Sequence, residues 1–142
     1  MPMLEEGIAR LGTLLKKATG DPAAFDPLFA RLQEVLREVL GRLEHDFAEQ
    51  IERVLAVGEW GRDGIDLRNL PYDDVVLLIV LSGDTRPLER YQEIATRVFA
   101  DLHDEDVFVQ FSLMSLPEWQ RAEVFARVQA REEALGTLLW TR

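Results

Sequence analysis

The seven residues from Val75 to Leu81 constrain the fold more than any other segment of the chain. All of them are apolar, several are β-branched, and turn-forming residues lie on both sides. Such a run is typical of a β-strand that is covered on both faces, and it is too short to cross a membrane as a helix. The sequence therefore predicts a strand at the centre of a sheet, with other elements packed above and below it.

Two helices are predicted ahead of this strand. Residues 3–18 carry an apolar stripe at helical spacing, with glutamates in the first turn and lysines in the last. Asp26-Pro27 is a helix-start signal, and it introduces a second stripe over residues 27–50. The residues of this second stripe are Leu28, Leu32, Val35, Leu36, Val39, Leu40, Leu43, Phe47 and Ile51. We therefore expect residues 1–50 to form a helical extension packed on the same domain as the sheet.

Three further strands are predicted after the second helix. Consecutive apolar residues at 54–57 indicate a short buried strand, and residues 107–113 alternate with the two-residue period of a strand. A last short strand follows Gly136 at 137–141. Together with the central strand, these segments predict an α+β fold with a mixed sheet of about four strands, in a core that covers residues 51–142.

Two helices connect these strands. Pro87 is predicted to open the first, whose apolar face is expected to contain Leu88, Tyr91, Ile94, Ala95, Val98 and Leu102. The second begins after Ser115, which is spaced to form a capping box with Glu118, and extends to about residue 134. Both helices are expected to pack on the sheet.

Composition excludes several classes of function. The chain has no cysteine and only 2 histidines, which excludes disulfides, thiol catalysis and cysteine- or histidine-rich zinc sites. Its formal net charge of -10 repels nucleic acid phosphates and anionic lipid headgroups, so we expect neither duplex binding nor membrane association. The acidic first residues differ from the basic start of a signal peptide, so we expect a cytoplasmic location.

Three short segments carry a recognisable pattern. The first strand ends in Val57-Gly58-Glu59 and is followed by Gly61-Arg62, the central strand is preceded by Asp74, and Gly136 leads into Leu138-Leu139-Trp140. With this order of elements, residues 51–142 resemble the minimal nucleotidyltransferases of the DNA polymerase β-like superfamily. In that superfamily the first strand ends in Gly-Ser, another strand opens with Asp-x-Asp, and a later strand carries a third carboxylate.

The resemblance implies a site for a nucleoside triphosphate and Mg²⁺. The carboxylates of the superfamily hold two metal ions that bind the triphosphate and activate the attacking hydroxyl, while the Gly-Ser turn binds phosphate oxygens. On this resemblance the metal positions are Asp74 and Asp73, and the phosphate-binding positions are Gly58, Glu59, Arg62 and Arg68.

The sequence departs from the pattern of the superfamily at each of the other ligand positions. Glu59 replaces the serine and brings a negative charge to the phosphate turn, Val76 replaces the second carboxylate, and Gln110 stands at the third, with Ser112 as the other choice. Because Asp74 is the only carboxylate in register, no residue is assigned a catalytic role. The sequence therefore favours a non-catalytic member that retains at most nucleotide or partner binding.

Two alternatives stay open. An active Mg²⁺-dependent transferase of the toxin–antitoxin type would need Asp74 and a carboxylate relocated from another position: Glu59, Asp63, Asp66 or Asp73. A structural homodimer through the helices at 3–18 and 27–50 would leave an apolar helix face uncovered in the monomer. Minimal members of the superfamily also commonly act with a small helical protein, so the resemblance implies such a partner as well.

Overall fold

The computed structural model describes residues 3–15, 26–57, 75–83, 86–102, 109–128 and 136–142, which form an α+β fold. In chain order the elements are α1 (Met3–Leu15), α2 (Asp26–Phe47), β1 (Ile51–Val57), β2 (Val75–Leu81), α3 (Pro87–Ile94), β3 (Val109–Ser115), α4 (Leu116–Val128) and β4 (Thr137–Thr141). A 3-10 turn (Ala48–Gln50) joins α2 to β1, and a π-helical turn (Ala95–Phe99) continues α3.

The four strands form one mixed sheet in the order β3-β2-β1-β4. β1 is antiparallel to both of its neighbours, β2 and β4, whereas β2 and β3 are parallel. The two inner strands are therefore β1 and β2. The predicted four-stranded mixed sheet, with the apolar run 75–81 inside it, is confirmed.

Both faces of β2 are covered, as its composition requires. Leu77, Ile79 and Leu81 point to the face on which α1, α2 and the π-helical turn pack, which we call the first face. Leu78 and Val80 point to the opposite, second face, where Trp119 of α4 packs against them. An antiparallel edge strand can tolerate water on one side, but a strand with two apolar faces is stable only when both are covered.

α2 supplies most of the cover for the first face. The described residues of its predicted stripe are at most 2% exposed: Leu32, Val35, Leu36, Val39, Leu40, Leu43 and Phe47. The stripe is therefore confirmed where its side chains are described. The ninth stripe residue, Ile51, differs from the prediction, because the helix has ended and Ile51 is the first residue of β1.

α1 packs against α2 and β4 through both apolar and polar contacts. Met3 is buried, and a Cβ at Gly7 would lie 2.8 Å from Leu40 Cδ1, so the two helices approach closely there. The Leu4 N–H donates to the Glu44 carboxylate at 2.5 Å, which places a negative charge at the amino end of α1. Arg10 donates to the Leu138 carbonyl at 3.3 Å and so ties α1 to β4.

The apolar face of α3 differs from the predicted one. Leu88 is 92% exposed and Tyr91 is 48% exposed, so their predicted burial is wrong, while Phe99 is buried. Leu88 lies in the first turn of α3, and Tyr91 packs its ring against Phe111 at the edge strand, whereas Ile94 and Val98 of the predicted face are buried. The helix then continues as a π-helical turn, in which hydrogen bonds span five residues. Periodicity arguments assume an α-helix throughout and do not detect this change.

The start of α4 matches the prediction from the sequence. The Glu118 N–H donates to Ser115 Oγ at 3.3 Å, which is the expected cap of the first turn. The Ser115 hydroxyl in turn donates to the Glu118 carboxylate at 2.9 Å. The predicted end near residue 134 lies outside the described residues. In the part of the chain that the structure describes, no helix has both the length and the apolar content needed to cross a bilayer.

Gly136 enters β4 in a conformation that other residues rarely adopt. Its φ is +93°, and a Cβ built there would lie 2.2 Å from the carbonyl oxygen of Ala56 in β1. Gly83 also has a positive φ, +59°, but nothing lies within 4 Å of a Cβ at that position. Substitutions at these two glycines can therefore distinguish the cost of a positive φ from the cost of a steric clash.

We expect Gly136→Ala to lower the free energy of unfolding by about 3 kcal/mol, because left-handed strain and a backbone clash add together. Gly83→Ala should cost only about 1 kcal/mol, from the strain alone. Urea denaturation of the two variants and the wild type measures both losses. Equal losses at the two positions would show that the close contact with Ala56 contributes nothing.

Arg42 joins α2 to the turn that follows the π-helical segment. Its guanidinium donates to both carboxylate oxygens of Asp101, at 2.5 and 3.1 Å, and to the Val98 carbonyl at 3.2 Å. The hydrogen bonds from Arg42 hold the pKa of Asp101 below its usual value, and Asp101 in turn raises the pKa of Arg42. The pair therefore favours the charged form of both groups.

The Arg42–Asp101 pair makes the free energy of unfolding depend on pH. Because the pKa of Asp101 is lower in the folded chain than its ordinary value of about 3.9, the stabilisation is complete above that value and is lost as the pH falls through the folded pKa. We expect the stability difference between wild type and Asp101→Asn to be constant above about pH 5 and to shrink below about pH 4. Urea titrations from acid to neutral pH measure it. In an Arg42→Gln background the same comparison should have a clearly smaller slope, because only the backbone hydrogen bond to Asp101 then still lowers its pKa, and an unchanged slope there would contradict the assignment.

Candidate functional site

The residues that the sequence assigned to phosphate and metal binding lie outside the described residues. All of them belong to the segment 58–74 between β1 and β2: Gly58, Glu59, Arg62, Arg68, Asp73 and Asp74. The relocated carboxylates Asp63 and Asp66 belong to the same segment. The structure describes the two strands that this segment connects, and their paired residues show which side chains lie at the ends of the segment.

Val57, Val76 and Gln110 form one row across the sheet, at the end where β1 stops and β2 starts. Val57 pairs with Val76, and Val76 pairs with Gln110 on the parallel strand β3. Residues paired in this way point to the same side of a sheet, so all three belong to the second face. The positions that the resemblance equates with the second and third carboxylates are therefore direct neighbours.

The described part of this row does not fit a two-metal centre. Val76 offers no donor atom to a metal, and Gln110 offers a neutral amide instead of an anionic carboxylate. Within the described ranges, no group of three or more histidine, aspartate or glutamate side chains is arranged to hold a metal ion. Metal binding at this end of the sheet would therefore depend on residues of the segment 58–74.

α4 covers the second face next to this row but does not cover all of it. Trp119 is 4% exposed and packs with Leu55, Leu78 and Val80. Its indole Nε1 is buried and has no hydrogen-bond partner among the residues that the structure describes. Gln110 remains exposed at the edge of the sheet. Trp119 thus belongs to the core, while the row ends in an accessible amide.

A pocket of about 540 Å³ lies on the first face of the sheet, where Phe99 and Phe111 of its lining pack. Gln110 also borders this pocket, although its side chain belongs to the second face. The pocket lies between α3, the π-helical turn and β3, and six of its residues define what we call the Tyr91 pocket: Tyr91, Gln92, Thr96, Phe99, Gln110 and Phe111. The sequence did not indicate this pocket, since Tyr91 was predicted to be buried in the helix face. The only signal in the sequence is the spacing of the three aromatic residues, and that spacing becomes informative only once the π-helical turn is known.

The apolar stripes of α1 and α2 do not form the uncovered face that a homodimer through them requires, as far as their side chains are described. Met3 and the described stripe of α2 are buried, and Leu4 and Ile8 pack against the same core. Large apolar side chains are exposed elsewhere in the described ranges: Leu88 and Tyr91 on α3, and Val124, Phe125 and Val128 on α4. A homodimer and a helical partner both stay predictions, and the described faces of α1 and α2 are already occupied.

The uncharged row Val57, Val76 and Gln110 lies on the second face, at the end of the sheet that borders the segment 58–74, whereas the Tyr91 pocket lies on the first face. In comparisons with known proteins, no family model, no curated protein and no solved structure matches this chain.

Proposed function

We propose that this chain is a nucleotidyltransferase-like protein that has lost metal-dependent catalysis and retains nucleotide binding. The observation that carries the proposal is the register of β2 and β3, which sets Val76 opposite Gln110. A two-metal mechanism needs carboxylates from neighbouring strands, because they must reach the same pair of metal ions. Val76 and Gln110 are neighbours on adjacent strands, but neither side chain carries the negative charge that a two-metal site needs.

Without bound metal ions, a triphosphate meets an unfavourable field. Metal ions normally neutralise much of the phosphate charge, and the formal net charge of this chain is -10. Arg62 and Arg68 are the cations that we propose to face the phosphates, while Glu59 opposes them. Salt screens this repulsion and the attraction of Arg62 and Arg68 to the phosphates alike.

We expect nucleoside triphosphates to raise the melting temperature by the same amount with Mg²⁺ and with a chelator, because the described row offers no carboxylate to a metal ion. A ligand at 100 times its dissociation constant adds about 2.7 kcal/mol, which is a rise of several degrees. Differential scanning fluorimetry measures the shift, and incubation with radiolabelled triphosphate should yield no labelled product.

Asp74→Ala is the control for this experiment, since Asp74 is the one carboxylate in register. On the proposal, this variant keeps both the shift and the absence of transfer. A metal-dependent shift that Asp74→Ala abolishes would instead favour the active transferase, and Asp63→Asn and Asp66→Asn would then identify its second ligand. The absence of a shift with every nucleotide would contradict the proposal and favour a purely structural role.

The second prediction restores the missing carboxylates. Because Val76 and Gln110 are paired in register, Val76→Asp combined with Gln110→Asp should place two carboxylates side by side. We expect the double variant to bind Mn²⁺ at least about tenfold more tightly than the wild type, since carboxylate oxygens suit this ion. Isothermal titration calorimetry measures the affinity.

The matched controls for the restoration are the two single variants, each of which adds one carboxylate. A melting temperature for each variant shows whether it is folded, which matters most for Val76→Asp because Val76 is half-buried. A folded double variant that binds Mn²⁺ no better than the single variants would show that this row is not the remnant of a metal site.

A further inference from the structure

β3 has one edge that no strand among the described residues pairs with. It is the outermost strand in the order β3-β2-β1-β4, and all seven of its residues, Val109–Ser115, pair with β2 on one side only. On the other side, the strand presents a row of backbone N–H and C=O groups. Such a row is the template on which a further β-strand can be added.

The opposite edge of the sheet is protected, unlike the edge of β3. The edge strand β4 has only five residues, Thr137–Thr141, and a register shift interrupts its pairing with β1. α1 packs against β4, and Arg10 donates to the Leu138 carbonyl. β3 has none of the blocking features that the sequence of a strand can supply: its register with β2 is continuous, and it contains neither proline nor a charged residue.

The sequence of β3 is suited to antiparallel pairing with a second copy of itself. Ser112 is the central residue of the strand, and pairing centred on it gives each of the seven residues a partner. On the first face, Phe111 of each copy then lies opposite Leu113 of the other, and such aromatic–aliphatic pairs stabilise sheets. On the second face, the two Ser112 side chains meet on the symmetry axis, and Gln110 lies opposite Met114. No pair brings like charges together.

Repulsion between two acidic chains is weak at this edge. The formal net charge is -10 per chain, but salt at physiological strength screens charges that are more than about 8 Å apart. The helical segment beside the edge, residues 86–99, holds three arginines and two glutamates. They pair with one another: Arg86 with Glu89 at 3.9 Å, and Arg90 and Arg97 with Glu93 at 3.2 and 3.4 Å. The described surroundings of the edge are therefore close to neutral.

Exposed apolar surface lies beside the same edge. Tyr91 of α3 stacks on Phe111 at 4.9 Å and remains 48% exposed, and Leu88, one turn earlier, is 92% exposed. The Tyr91 pocket next to them borders β3 directly and carries no ionised side chain. Antiparallel pairing relates two copies by a rotation about an axis perpendicular to the sheet, so the first faces of both copies lie on the same side. α3 and its exposed apolar side chains therefore flank the junction from both copies.

We propose that the chain forms a homodimer in which the β3 strands of two copies pair antiparallel, centred on Ser112, into one continuous sheet. The backbone groups of the edge call for a β-strand as the occupant, and the uncharged, self-complementary sequence of β3 matches a second copy. This interface differs from the predicted one through α1 and α2, whose described apolar side chains are buried in the monomer. It does not rest on the proposed function, because it uses no residue of the segment 58–74.

Disulfide crosslinking tests the register, because the chain has no cysteine and a single introduced thiol has no competitor. Residues directly opposite each other in an antiparallel pair have Cα atoms about 4.5–5.5 Å apart, which a disulfide can span. We expect Ser112→Cys to form a covalent dimer under mild oxidation, and a non-reducing gel measures its yield.

Gln110→Cys is the matched control for the crosslink. Gln110 is exposed on the same strand and the same face as Ser112, but in the dimer the two copies of position 110 lie about 14 Å apart, which is beyond the reach of a disulfide. A yield for Gln110→Cys that equals or exceeds the yield for Ser112→Cys overturns the proposal, and so does the absence of crosslinking in both.

The oligomeric state of the full chain is measured by sedimentation velocity over a range of concentrations. We expect the wild type to form a species of twice the chain mass of 16.3 kDa. Ser112→Lys should raise the dissociation constant of the dimer at least about fivefold, because it sets two positive charges opposite each other on the axis. Ser112→Thr should keep the dimer, since a β-branched residue suits a strand.

Phe125→Lys distinguishes β3 from the exposed apolar surface of α4, where Phe125 is 63% exposed. This variant should dimerise as the wild type does, and melting temperatures show that all variants fold. The proposal is overturned if the wild type stays a monomer at millimolar concentration, or if Phe125→Lys dissociates the dimer and Ser112→Lys does not.

Discussion

The burial of β2 on both faces is the constraint on which the rest of the structure depends. A strand with apolar side chains on both sides loses about 1.5–3 kcal/mol for each large side chain left in water, so neither face can stay open. Among the described residues, the first face is covered by two helices and a π-helical turn, and the second by α4. At the end of the second face that borders the segment 58–74, the side chain of Gln110 is exposed.

The elements that the sequence predicts well are those whose periodicity is long and regular. α2 buries seven stripe residues on a three-and-four-residue spacing, and β2 is an unbroken apolar run, so both could be identified without tertiary information. The start of β1 could not, because Ile51 continues the helical stripe in the sequence although the helix ends at Phe47. The π-helical turn is a further difference, since no periodicity in the sequence marks it.

Some features of the candidate site could be predicted from the sequence, whereas others depend on the tertiary structure. Motif spacing points to Asp74, Val76 and Gln110 as positions of interest, but spacing does not say that Val76 and Gln110 face each other. The pairing of β2 with β3 supplies that information. The stack of Tyr91, Phe111 and Phe99 depends even more on tertiary structure, because it joins residues from a helix, a π-helical turn and a strand.

The described row Val57, Val76 and Gln110 carries no charge, although the chain as a whole is strongly acidic. Charged side chains of the neighbouring helix α3 and of the π-helical turn form pairs on the helix surface, such as Arg97 with Glu93, and such pairs contribute little individually to stability. The charge of the candidate site therefore depends on the segment 58–74, which lies outside the described residues.

The contact between Arg10 and the Leu138 carbonyl joins residues separated by 128 positions, and β4 pairs with β1 across most of the chain. Such distant pairing raises the contact order, and high contact order slows folding because a large loop must close before its contacts contribute. Until β4 docks, β1 has an unpaired edge that could pair with another molecule. The time that β4 takes to dock thus determines how long the edge of β1 is exposed to aggregation during folding.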